Sequence, residues 1–128
     1  MKREIKFRVW FPAGTDTGDG EIEKGQMCYD LAFEEYEPIN DLLRGVDHLM
    51  QYTGLKDKNG TEVYDGDILH MKDGTRNPYV VVWAEVFTGW GLRGNIGELV
   101  TWLVEYIGEL TVIGNIYENP ELLQEVKE

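Results

Sequence analysis

The sequence predicts a mainly β fold, a small barrel or sandwich, and three observations carry that prediction. Short runs alternate apolar and polar residues at the two-residue period of a strand, as Ile5, Phe7 and Val9 do against Lys6 and Arg8. Turns rich in Gly, Asn and Asp separate these runs, and little of the chain repeats its apolar residues at helical spacing. The 128 residues are 42% hydrophobic, enough for one core and a single domain over 1–128.

The alternation from Ile5 to Trp10 predicts an N-terminal strand with one buried face. Phe11 to Gln26 is glycine-rich and acidic, so it reads as a flexible loop or a long hairpin tip. Met27 to Phe33 returns as a strand. Pro38 to Arg44 has a proline suited to a first helical turn and Gly45 beyond its end, which predicts a short helix. Asn59-Gly60 is a strong turn signal, and it predicts a hairpin with arms near Leu49–Leu55 and Thr61–Met71. Within the second arm, Asp65-Gly66-Asp67 is a further turn that hands the chain to Ile68.

Tyr79 to Phe87, rich in valine and aromatics after Asn77-Pro78, predicts a well-buried strand. Gly89, Gly91, Gly94 and Gly97 then read as interruptions. Leu99 to Ile107 is apolar on both faces, which fits a central strand or a short buried helix equally. Leu110 to Tyr117 predicts a strand. At the C-terminal end Asn119 is placed to cap, Pro120 to open and Glu121 to favour a short helix over Leu122–Val126.

Charge narrows the function classes. With 24 acidic against 12 basic residues the chain carries a formal net charge of −12, a sign that repels nucleic acid and attracts basic partners. The ordinary reading is an acidic surface that keeps the protein in solution; the sharper one is an acidic face that engages a basic protein. Cys28 is the single cysteine, so no internal disulfide forms and a reducing cytoplasm is the expected setting. No apolar run approaches the roughly 18–20 residues that span a bilayer, so no membrane segment is expected.

Catalytic chemistry is hard to find. The chain lacks serine altogether, Cys28 has no histidine near it in sequence, and His48 and His70 lack the spacing of a zinc pair. Acid pairs such as Asp65 with Asp67, Glu34 with Glu35 and Asp16 with Asp19 read as solvated turn residues in so acidic a chain. Asp57-Lys58-Asn59-Gly60-Thr61-Glu62 lacks the full calcium-loop spacing and reads as a hairpin turn. Gly89-x-Gly91-x-x-Gly94 matches a phosphate-cradling pattern in letters, without the strand and helix that the chemistry needs. No catalytic residue, metal ligand or cofactor is expected. The candidate binding residues are Tyr79, Trp83, Phe87 and Trp90, an aromatic cluster that would grip a peptide or stack on bases if exposed and would otherwise pack in the core.

Three segments carry a resemblance. Met50 to Ile68, MQYTGLKDKNGTEVYDGDI, together with IKFRVW (Ile5–Trp10) and VIGNIYENPELL (Val112–Leu123), resembles in order and position the YopX family of bacteriophage and prophage proteins. The chain departs from that pattern in its longer, glycine-rich Phe11–Gln26 stretch and in its loose match over Asn77–Gly108. The resemblance implies an SH3-like barrel over 49–128, with N-terminal β elements in 1–48 and a homo-oligomeric assembly in a bacterial cytoplasm. It supplies no catalytic residues.

Tyr52, Leu55, Val63, Tyr64 and Ile68 are then core candidates, which makes the recognisable segment scaffold. The leading expectation is a non-enzymatic phage or prophage accessory protein that binds a basic host or phage protein. Its rival is single-stranded nucleic-acid binding through the barrel aromatics. An enzyme, such as a metal-dependent hydrolase, would need Asp65, Asp67 and a histidine to converge.

Overall fold

The computed structural model describes residues 6–15, 20–29, 48–71, 78–94 and 98–123. They form two antiparallel sheets. Strands β1 (Phe7–Phe11), β2 (Gln26–Cys28), β3 (Leu49–Lys56) and β4 (Glu62–Tyr64) build a four-stranded sheet in the order β2-β1-β3-β4. Strands β5 (Asp67–Met71), β6 (Tyr79–Ala84), β7 (Gly89–Arg93), β8 (Leu99–Trp102) and β9 (Leu110–Asn115) build a five-stranded sheet in the order β8-β7-β6-β5-β9. One short helix, α1 (Leu103–Tyr106), follows β8, and the fold is mainly β and barrel-like, as the strand periodicity predicts.

The predicted N-terminal strand is β1. It pairs with β2 as a hairpin: Val9, Trp10 and Phe11 lie opposite Cys28, Met27 and Gln26, and Gly14 and Ile22 continue the ladder through a 2.8 Å bond, while residues 16–19 of the glycine-rich stretch lie outside the described residues. The return strand ends at Cys28. The remainder of the expected Met27–Phe33 strand, from residue 30 on, and the expected Pro38–Arg44 helix lie outside the described residues.

The Asn59-Gly60 turn joins β3 to β4, with Gly60 at φ 85°, where a side chain would strain the backbone. The second arm of the predicted hairpin breaks at Asp65-Gly66, because the chain leaves one sheet for the other there. Gly66, at φ 86°, donates its N–H to Val81 O and accepts from Ile116 N, so this corner is stitched to both β6 and the C-terminal segment.

Expectations at four places in the second half need correction. The strand predicted over Tyr79–Phe87 ends at Ala84, and Phe87 sits in the following turn. Gly89 and Gly91 do not interrupt: they lie inside β7, where a Cβ on Gly89 would come within 2.7 Å of the Trp102 ring and one on Gly91 within 3.1 Å of Leu99. Leu99–Ile107 is not one element: an edge strand, β8, is followed by α1 and by Ile107 at the start of a 3₁₀ turn. Pro120–Leu123 makes a 3₁₀ turn, and the rest of the expected Leu122–Val126 helix, from residue 124 on, lies outside the described residues. Asn119 does not cap it, since its Oδ1 turns back to accept from Asn115 N at 3.2 Å.

Between the sheets Val63, Leu69, Val81, Leu92, Leu103 and Leu110 form a buried cluster, with Leu55, Tyr79 and Trp90 packed against it. Of the core candidates in the recognisable segment, Tyr52, Val63, Tyr64 and Ile68 are buried and Leu55 is partly so. Residues of that segment thus serve both sheets.

Candidate binding site

The four aromatic candidates do not form one cluster. On β6, Tyr79, Val81 and Trp83 share the face that covers the core, and Trp83 stands opposite Trp90 of β7. Tyr79 packs onto the core. At the far end of the same face Trp83 is 50% exposed and meets Trp90 edge to face, ring centroids 5.3 Å apart. Phe87 is carried by the β6–β7 turn to the opposite face, where it stacks on Trp102 at 4.6 Å.

Trp83 and Trp90 form one wall of a groove of about 380 Å³ between the sheets, completed by Phe7, Leu49, Gln51 and Asp65. Among the described residues Asp65 is the only ionisable one lining it. Burial pushes its carboxyl above the ordinary carboxylate range, with Arg8 pulling the other way. Two indoles beside a carboxylate suit a cationic side chain, which gains from both the aromatic quadrupole and the opposite charge.

Behind the groove lies a pair that sequence reasoning missed. Arg8 was expected on the polar face of β1, yet it is 2% exposed and its Nη2 donates to Asp67 Oδ1 at 2.8 Å. The same nitrogen donates to the Asp65 carbonyl at 3.2 Å, and the guanidinium lies 4.7 Å from the Tyr64 ring. Asp67, expected to be a solvated turn acid, also accepts from Tyr64 N at 2.7 Å through Oδ2. Burial raises its carboxyl to about 6 against the opposing pull of Arg8. The pair joins β1 to β5, one strand from each sheet, and floors a second cleft of about 410 Å³.

A signal for Arg8 existed in the strand itself: FRVWF has no other polar residue, so the face that Arg8 shares with Trp10 was never a solvent face. Asp57 was missed likewise. It is buried, its Oδ1 accepting from Asn59 N and Thr61 N and its Oδ2 from Val112 N.

The residues that metal chemistry would need are dispersed. His48 lies against Tyr117 with ring centroids 4.9 Å apart, His70 is on β5 opposite Thr111, and no group of three His, Cys, Asp or Glu among the described residues could hold an ion. The Gly89-x-Gly91-x-x-Gly94 run is strand and its exit, not a phosphate loop. Among the described residues no helix is long and apolar enough to cross a membrane.

A sequence profile described as YopX protein matches residues 6–124 of the chain. The chain belongs to the YopX family. All three motifs fall within the match but for Ile5 at its start, and so do both clefts. Among solved structures, this YopX chain is similar to protein EF1440 from Enterococcus faecalis, with a TM-score of 0.54 and 24% identity over 96% of this chain and 100% of that one. That likeness concerns the fold. No curated protein sequence matches the chain.

Proposed function

We propose that this YopX-family chain is a non-enzymatic binding protein that captures a basic segment of a protein partner in the Trp83–Trp90 groove. One observation carries the reading: among the described residues Asp65 is the sole ionisable one lining a groove walled by two indoles. A lysine or arginine side chain entering there replaces its water shell with indole faces and a carboxylate. The net charge of −12 steers such a partner and turns away nucleic acid. Within this proposal the protein is a phage or prophage accessory factor, homo-oligomeric, working in the bacterial cytoplasm on a basic host or phage protein; the family likeness is what supports that setting.

The competing reading, stacking of single-stranded bases on Trp83, draws on the 50% exposure of that indole. Fluorescence anisotropy separates the two at about 50 mM salt, where screening is weak. A labelled lysine-rich peptide should bind, Trp83→Ala should weaken it about tenfold, and rising salt should weaken it further. Binding should also tighten as pH rises through the titration of Asp65, because only the ionised carboxylate attracts the cation. A labelled oligonucleotide that binds where the peptide does not, and is lost on Trp83→Ala, would reverse the ranking.

A further inference from the structure

The five-stranded sheet has two edges, and the fold treats them differently. Along β9 the outward backbone is occupied: Lys58 N donates to Leu110 O at 3.2 Å, Asp57 Oδ2 accepts from Val112 N at 2.9 Å, and Asn119 Oδ1 accepts from Asn115 N at 3.2 Å. Those contacts close β9 against further strands, as natural sheets usually require. Along β8 no described residue pairs with the outward backbone, β7 being its one described neighbour.

The open edge also carries apolar surface. Leu99 and Trp102 are each 37% exposed, and Val104, in the helix that follows, is 59% exposed. Trp102 is held in place by its stack on Phe87 and by the bare backbone of Gly89 beneath its ring. A fixed indole beside strand amides that no described residue pairs suits an added strand, whose main chain supplies hydrogen bonds and whose alternate side chains reach the indole.

Charge decides the occupant. Exposed Glu98 precedes β8 and exposed Glu105 follows it, the latter accepting from Thr101 Oγ1 at 3.4 Å; Glu85 is exposed in the β6–β7 turn, and Arg93, opposite Leu99, is the basic exception. Pairing of β8 with a second copy would bring these acids against their equivalents in a chain that already carries −12. A basic strand meets no such opposition.

We infer that the β8 edge takes up an extended segment of a basic protein as an additional antiparallel or parallel strand, apolar side chains on Leu99 and Trp102 and cationic ones toward Glu98 and Glu105. This rests on the proposed capture of a basic partner and adds the form in which the partner is held. It also gives a role to the β6–β7 hairpin end, which presents Trp83 on one face and the Phe87–Trp102 stack on the other.

The test uses the full chain and two synthetic peptides of equal charge, one alternating lysine with valine and one alternating lysine with proline, which cannot supply strand N–H groups at the proline positions. Amide hydrogen exchange along β8 and affinity are read together. The valine peptide should slow exchange of the β8 amides that do not bond to β7 and should bind about tenfold more tightly than the proline peptide. Equal affinity with unchanged β8 exchange overturns strand addition, and if Trp83→Ala then abolishes that binding, the groove proposal stands without it. Failure of both peptides to bind overturns both proposals. Protection of β8 in the free protein that grows with protein concentration assigns the edge to a second copy, which also overturns the inference.

Discussion

Replacing Asp67 with alanine is expected to destabilise the fold by about 3–5 kcal/mol, the usual cost of leaving one member of a buried ion pair without the other. Asp67 and Arg8 are each 2% exposed, so the abandoned guanidinium would be left largely buried with no charged partner. Arg8 would keep the Asp65 carbonyl and Tyr29 Oη as acceptors, neither of them charged. Tyr64 N would lose its partner as well. The double variant Arg8→Met with Asp67→Leu should recover about half of the loss, because no buried charge is then left without its counterpart, leaving about 1–3 kcal/mol for the lost bond from Tyr64 N to Asp67 Oδ2. Urea unfolding of the single and double variants measures both terms.

The same carboxyl makes stability depend on pH. Its folded value of about 6 lies above the ordinary value near 3.9, so between the two the folded state holds a proton that the unfolded state has released. The stabilising contribution is therefore complete below about 4 and is lost as pH rises through about 6, by up to roughly 3 kcal/mol for two pH units at ~1.4 kcal/mol each. Asp65, also raised by burial, acts in the same direction. Urea midpoints from pH 4 to 7 should fall, and the fall should shrink in Asp67→Asn. An undiminished slope in that variant would assign the effect to other groups.

The second large effect is at Asp57, whose carboxylate accepts from the amides of Asn59, Thr61 and Val112 at 2.8, 2.9 and 2.9 Å. Two of these bonds shape the β3–β4 turn and the third ties that turn to β9. Asp57→Ala should cost about 2–4 kcal/mol, chiefly because the part-buried Val112 N on the covered edge of β9 loses its acceptor while the turn amides can turn to water. Asp57→Asn should not rescue it fully: an amide has one acceptor oxygen, and its NH₂ would face a backbone donor. Thermal unfolding of the two variants provides the comparison.

These sites explain what was legible in the sequence and what was not. Strand periodicity and the Asn59-Gly60 turn are local signals, and β1, β3, β4 and β9 follow them. The identity of the buried charges is not local. Arg8 and Asp67 are 59 residues apart, and only the meeting of two sheets brings them together. Asp57 looked like any hairpin acid because its partner Val112 lies 55 residues away. Gly89 and Gly91 looked like turn residues because glycine usually marks turns, whereas here it makes room for Trp102 and Leu99 across the sheet. Of the aromatic candidates, Tyr79 and Trp83 share a face because β6 is a strand, as the sequence predicts, but the turn that takes Phe87 to the other side has no distinct signature.

Binding of a cationic protein segment between Trp83, Trp90 and Asp65 is tested most directly by the indole N–H resonances of the folded protein during titration with a lysine-rich peptide. The resonances of Trp83 and Trp90 should shift together and saturably, with that of Trp10 moving less, and the shifts of the pair should vanish in Asp65→Asn. Unmoved Trp83 and Trp90 resonances in the presence of bound peptide, or their movement by an oligonucleotide alone, would contradict the account.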